Sequence, residues 1–258
     1  MSDAVRYETD GDVGVITLDR PDNRNSMTGE LLAAFANATA AAKRDAAIRS
    51  VVITGSGKCF SAGADFKSFG SSEPQEPHER SYAMYVPFLS VLEIEVPVIA
   101  ALNGHAIGGG FGLALVCDIR IGAIDAKYGA NFVKLGLAPG MAISYMLPRL
   151  IGLPRASELL YTARLVDGPE AERLGILNRA VPVGDVLPQA MALARAIAAN
   201  APIAVRETKR GMYRGLDLHV HDAARAEAHA QARSIASDDA REGIAALLGK
   251  REPRFTGR

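Results

Sequence analysis

Two short apolar runs, Val51-Val52-Ile53-Thr54 and Val98-Ile99-Ala100-Ala101-Leu102, each end at a glycine-bearing turn, and this pattern restricts the fold more than any other feature. Runs of four or five apolar, largely β-branched residues are too short for helices and read as fully apolar strands. Gly55 follows the first run, and Asn103-Gly104 turns the chain after the second. A helical pattern comes after each, so the unit strand, glycine turn, helix occurs twice. A mixed α/β core follows from that repetition.

The rest of the chain fits around this unit. Gly14-Val15-Ile16-Thr17-Leu18 is a further strand, closed by the turn formers Arg20-Pro21-Asp22-Asn23. Between Thr28 and Ile48, Leu31, Leu32, Phe35, Ala38, Ala42 and Ala46 recur at helical spacing, with Thr28 as N-cap and Glu30 in the first turn. Gly55 to Gly70 is rich in Gly and Ser; Ser71 to Glu79 is polar, holds two prolines and predicts a mobile surface loop. A helix is expected from Arg80 to Leu92, and short strands at Asp118-Ile119-Arg120-Ile121 and Lys127-Tyr128-Gly129. After Pro139 the pattern is almost wholly helical, and it is Ala-rich from about Gly184, with Ala201-Pro202 as one helix start. We therefore expect a core over 1–195 and a helical region over 196–258. Apolar positions such as Leu216, Leu218, Ile235, Ile244, Leu247 and Leu248 cannot build a separate core there. They should pack on the main domain or on another subunit.

Composition removes several functional classes. The 258 residues carry 29 Lys+Arg against 29 Asp+Glu, without the basic excess that nucleic acid or an anionic membrane would reward. At 48% hydrophobic and 22% charged the chain is ordinary for a globular domain, not a disordered one. Cys59 and Cys117 lie far apart with no Cys or His at ligand spacing, so neither a disulfide framework nor a zinc site is expected. The first residues lack a signal segment, and no stretch nears the about 20 apolar residues of a membrane span. A cytoplasmic protein is the expectation.

The glycine turns invite a phosphate-binding reading, which the spacing rejects. After Gly55-Ser56-Gly57 the third glycine of a dinucleotide fingerprint would fall at Phe60, and a P-loop ending in Gly57-Lys58 would need a glycine where Val52 stands. Tight turns and close packing are the plain alternative. The two turns taken together say more: Phe60-Ser61-Ala62-Gly63-Ala64-Asp65-Phe66-Lys67, then Asn103-Gly104-His105-Ala106-Ile107-Gly108-Gly109-Gly110. This pair resembles the enoyl-CoA hydratase/isomerase (crotonase) superfamily. The resemblance extends to Leu18 to Asn25, Pro97 to Gly104, Cys117 to Arg120 and Leu137 to Gly140, hence over essentially the whole chain.

The resemblance implies an α/β fold with a crotonase-like ββα spiral core and a C-terminal helical trimerisation region, giving a homotrimer or a dimer of trimers. It also implies an acyl-CoA ligand, with a thioester enolate stabilised by the backbone amides of Ala64 and Gly109. Two such donors converge where negative charge develops on the thioester oxygen, and a helix beginning at Gly109 would aim its positive end there. Coenzyme A contacts map to Ala62, Asp65, Phe66 and Lys67, with Arg24, Lys58 and Lys67 as cations for its phosphates. No permanently bound cofactor and no metal are implied.

Hydratases of this family activate water and protonate carbon with two glutamates. By the resemblance those positions are Gly112, one helical turn after Gly109, and Phe132; a third acid of dienoyl-CoA isomerases would fall at Gly140. Each positioned acid or base contributes about 10²–10⁴ in rate, so ordinary hydration is in doubt. Gly112 should open space beside the acyl chain and Phe132 should line it with apolar surface. His105, Glu79, Tyr82 and Tyr85 are the ionisable groups left near the turns; Asn131, Ser144 and Tyr145 offer hydrogen bonds. His219, His221 and His229 read as a solvated helix face. Two functions remain: a CoA-thioester enzyme that isomerises, hydrolyses, decarboxylates or cleaves a carbon–carbon bond through a nonstandard base or the substrate's own groups, or a noncatalytic acyl-CoA binder. A peptidase is disfavoured, because no serine sits in a nucleophile turn beside a His/Asp pair.

Overall fold

The computed structural model describes residues 4–65 and 76–258. Phe66 and Lys67, and residues 71–75 of the expected loop, lie outside these. Two strands open the chain: β1 (Val5–Asp10) and β2 (Val13–Leu18), an antiparallel hairpin. Helix α1 (Gly29–Arg44) starts where expected, Thr28 Oγ1 accepting a 3.2 Å bond from the Leu31 amide. It buries Leu31, Leu32, Phe35, Ala38 and Ala42.

The chain then enters a repeating path. Strands β3 (Ser50–Gly55), β5 (Val98–Leu102) and β7 (Ile119–Ala123) lie parallel in one sheet, while β4 (Cys59–Ser61), β6 (His105–Ile107) and β8 (Tyr128–Gly129) lie parallel in a second. Each circuit contributes one strand to each sheet. Helix α2 (Pro77–Leu89) follows the first circuit and α3 (Gly109–Val116) the second, so the expected ββα spiral is what the chain forms. The larger sheet runs β1-β2-β3-β5-β7-β9, closed at the far edge by β9 (Arg179–Val181). The residues of β3 from Ser50 to Thr54 and all of β5 are buried, as central parallel strands covered on both faces must be.

Three expectations needed correction. Pro77 to Glu79 are not loop: Pro77 opens α2, with Glu76 as its N-cap, and its fixed φ and missing amide suit a first helical position. The stretch after Pro139 is not wholly helical, since β9 pairs with β7 through Ile121↔Arg179 and Gly122↔Ala180; three residues are too few to show a period. β1 was not anticipated, because its polar residues face solvent at a sheet edge.

The remaining helices are α4 (Ile143–Ile151), α5 (Leu153–Thr162), α6 (Gly168–Leu174), α7 (Val183–Ala198), α8 (Pro202–Gly215), α9 (Val220–Ile235) and α10 (Asp238–Leu248). α7 covers the large sheet, and Ser50 donates a 3.0 Å bond to its Ala194 carbonyl. α8 is tied to the same sheet by Asp118, whose carboxylate takes bonds from the Val98 amide (2.7 Å), Lys209 (2.8 Å) and the Tyr213 hydroxyl (2.6 Å). Asp118 and Lys209 side chains are each 11% exposed, so this pair is a structural fastening rather than a surface bridge.

Burial pushes the Cys117 thiol from 9.0 to about 12, and burial followed by the Asp45 carboxylate pushes Tyr7 from 10.0 to about 12. Both raised values favour the protonated form in the folded state. Their contribution is complete below the unfolded values and is lost as pH rises from those values through the folded ones. The urea midpoint should therefore fall between pH 8 and pH 11, and Cys117→Ala should lessen the part of that fall that sets in from pH 9 upward.

Candidate functional site

Both glycine turns come from strand ends of the smaller sheet and meet side by side. Gly63, with φ 82°, presses on the second turn: a β-carbon there would lie 2.7 Å from the Ile107 carbonyl oxygen and 2.9 Å from the Gly109 nitrogen. Gly108 adopts φ 56° and ψ −122°, outside the range of ordinary L-residues, and swings the chain from β6 into α3. Gly109 is thereby the first residue of α3, at the positive end of its dipole. The two turns are tied to the rest by side chains. Asn25, fully buried with φ 53°, accepts from the Arg20 amide (2.8 Å) and donates to the carbonyls of Ser56 (3.1 Å) and Cys59 (2.9 Å). Asn103 accepts from the Gly55 amide and donates to Gly57, both at 3.0 Å.

A cavity of about 300 Å³ opens over this junction, lined by Ala64 and Gly109 together with residues of α2 and of the segment 132–141. Among the described residues neither the Ala64 nor the Gly109 amide finds an acceptor in the protein. Two residues that line one largely apolar cavity thus carry backbone amides without acceptors among the described residues, and unpaired donors are what a developing oxyanion requires. From α2 come Pro77, Ser81, Met84 and Tyr85, at spacings of four, seven and eight that keep them on one helical face.

Of the other residues singled out in the sequence, Ala62 and Asp65 flank this turn and are half-buried; the Ala62 amide donates to the Arg24 carbonyl at 3.0 Å. Arg24 is exposed in a left-handed conformation and is close enough to Cys59 to lower its thiol pKa against the stronger upward push of burial. Phe132 lines the cavity as expected, its ring 3.7 Å from where a Gly108 β-carbon would stand. Gly112 does not open space. Met141 packs into it, and a β-carbon at 112 would collide with the Met141 β-carbon and stand 3.2 Å from its Cγ. Gly140 is likewise filled, by the phenol of Tyr85, whose Cζ would lie 2.7 Å from an added β-carbon.

His105 is exposed, and its Nδ1 accepts from the Lys127 amide at 2.9 Å, outside the cavity lining. Glu79 and Tyr82 point away on the exposed side of α2. Tyr145 lies beneath the Arg149 guanidinium, 3.4 Å from its ring centre. His219 caps α9, Nδ1 accepting from the His221 amide.

Met27 and Met141 were not singled out beforehand, although both line the cavity. Their role depends on glycines distant in sequence: Met27 packs on Gly109 as Met141 does on Gly112. The local signal for Met141 is conformational. It and Ala142 hold φ of 58° and 54°, a left-handed pair costing about 1–2 kcal/mol per residue, placed beside the cavity. Gly112→Glu alone should overpack this site and lower stability by about 1–3 kcal/mol in chemical denaturation, and a concurrent Met141→Gly, which removes the colliding β-carbon at a left-handed position, should recover most of it.

The chain was compared with known proteins. Residues 8–258 match the family model described as enoyl-CoA hydratase/isomerase. A probable enoyl-CoA hydratase of Mycobacterium tuberculosis is 35% identical over 256 residues, 99% of each chain. A crotonyl-CoA hydratase of Syntrophomonas wolfei is 36% identical over 249 residues, 96% of each. The crystal structure of an enoyl-CoA hydratase from Bacillus anthracis superposes with a TM-score of 0.95 at 35% identity, covering 99% of this chain and all of that one.

Proposed function

The chain belongs to the enoyl-CoA hydratase/isomerase family, and from that premise we propose that it binds an acyl-CoA with the thioester oxygen between the amides of Ala64 and Gly109, stabilising the enolate that forms there. The observation that carries this reading is the pair of unpaired amides in one apolar cavity, one of them at the start of α3. Charge that appears only as the reaction proceeds is held by donors already in place, which is where a rate gain arises.

The coenzyme A arm runs past Ala62, Asp65, Phe66 and Lys67, with Arg24 beside Ala62 to meet its phosphates; the ligand is a substrate, not a resident cofactor. Hydration through paired glutamates does not suit this site. Gly112 and Phe132 occupy the positions that the family resemblance gives to those acids, and Met141 and an aromatic ring take up the room. The enzyme is thus a CoA-thioester lyase or isomerase that uses another group. The helices over 196–258 hold subunits together as a homotrimer or dimer of trimers in the cytoplasm. Exposed Leu216, Val220, Ile235, Ile244, Leu247 and Leu248 support this, each more than 60% open in the single chain.

Calorimetry with butyryl-CoA and with its thioether analogue S-butyl-CoA, which lacks the carbonyl, tests the central claim. The carbonyl should improve binding about tenfold, the worth of one to two net hydrogen bonds. Equal affinities would remove the two amides from the mechanism, and no binding of either would remove the ligand class. The wild type should hydrate crotonyl-CoA feebly. Gly112→Glu with Phe132→Glu and Met141→Gly should raise that rate by about 10²–10⁴.

A further inference from the structure

A second cavity, of about 460 Å³, is bounded by the C-terminal end of α3, by α4 and by α8. It shares no lining residue with the cavity that holds Ala64 and Gly109. Leu115 and Val116 of α3, with Met146 and Leu150 of α4, make part of its wall apolar. The rest of the wall carries charge: Arg120, Arg149 and Lys209 stand with a single carboxylate, Asp118, among the described residues of the lining.

These charges are not evenly matched. Asp118 is already engaged by the Val98 amide, Lys209 and the Tyr213 hydroxyl, and Lys209 donates in addition to the Val96 carbonyl at 3.0 Å. Arg149 lies over the Tyr145 ring and 3.9 Å from the exposed Asp217. Arg120 differs: it is only 5% exposed, yet no carboxylate among the described residues lies within ion-pairing distance of it. Its Nε donates to the Ile176 carbonyl (2.7 Å) and its Nη1 to the Cys117 carbonyl (2.6 Å), while Nη2 finds no acceptor among those residues. The Cys117 bond sets the cation at the end of α3, whose dipole offsets about half a unit of its charge. A guanidinium has five donors to satisfy, and burial short of acceptors and of countercharge is costly. An anion in the cavity supplies both, and a carboxylate, with two oxygens, suits the fork of an arginine.

We propose that this second cavity binds a monocarboxylic acid with an apolar chain, its carboxylate on Nη2 of Arg120 and its chain against Leu115, Val116, Met146 and Leu150. An uncharged chain would leave Arg120 without countercharge, and a small inorganic anion would leave the apolar wall uncovered. An amphiphilic acid meets both parts of the lining at once. The volume exceeds the 300 Å³ of the cavity at the glycine turns, which gives room for a chain behind the carboxylate. Because the two linings are separate, the acid and an acyl-CoA can be held together on one subunit.

The test is calorimetry on the full-length protein with octanoate and with octan-1-ol, each alone and under saturating butyryl-CoA. Octanoate should bind about ten- to hundredfold more tightly than the alcohol, with the same affinity whether or not butyryl-CoA is present. Leu150→Glu changes a partly exposed wall position and should melt like the wild type. Its carboxylate should repel the ligand and lower octanoate affinity by about tenfold or more. Arg120→Lys keeps a cation at the end of α3 but removes the fork, and should also lose about tenfold; should it fail to fold, Leu150→Glu decides. Equal affinities for acid and alcohol, or no binding of octanoate, would overturn the site. Displacement of octanoate by butyryl-CoA would put the acid in the first cavity, and unchanged octanoate affinity in Leu150→Glu would put it elsewhere; either result overturns the proposal. If butyryl-CoA does not bind, the acyl-CoA reading fails by itself, and the acid–alcohol comparison with Leu150→Glu still decides this one.

Discussion

Everything at the site depends on how closely two glycine turns approach each other. Gly63 leaves no room for a β-carbon between itself and the Ile107 carbonyl or the Gly109 nitrogen, so the ends of β4 and β6 are effectively in contact. That approach puts the amide after one turn and the first amide of α3 beside the same cavity. It also explains why two strands as short as β4 and β6 persist: each is only three residues long, yet Asn25 and Asn103 bind the surrounding turns to one another through buried or half-buried amide groups. A side-chain amide can donate and accept at once, which lets one residue satisfy backbone groups from two separate loops.

Around this junction, small and large residues are exchanged between elements. Gly112 on α3 accepts Met141, Gly140 accepts Tyr85, and Gly109 accepts Met27. Each glycine lacks a side chain of its own but is not a void, because interiors are packed to near-crystalline density and a neighbour fills the gap. The left-handed backbone at Met141 and Ala142 is the strain that goes with laying the base of the Met141 side chain onto α3. Among the described residues, the lining of the cavity that remains is apolar except for backbone amides, one serine and one phenol.

Much of the fold could be read in advance. The β5 limits agree with the apolar run Val98 to Leu102, Thr28 caps α1, and the strand, turn, helix unit recurs as a spiral. β1 and β9 escaped because an edge strand with a wet face, or one of three residues, carries little hydrophobic pattern. The first turn of α2 was hidden by prolines and charge, although Pro77 is itself a helix-start signal. At the site, Ala64, Gly109 and Phe132 share one cavity, whereas the space expected at Gly112 is filled.

The sequence by itself determined the α/β class, the strongly patterned elements such as β3, β5 and α1, and which residue types stand at the two glycine turns, since these follow from local propensity, hydrophobic period and spacing along one chain. Only the tertiary structure decided what fills the places left by small residues. Met141 lies 29 residues from Gly112 and Tyr85 lies 55 residues from Gly140 along the chain. No periodicity links such positions. Contacts between them arise from the spiral path that lays α2, α3 and the segment before α4 against one another, and packing in three dimensions settles which side chain occupies the shared volume.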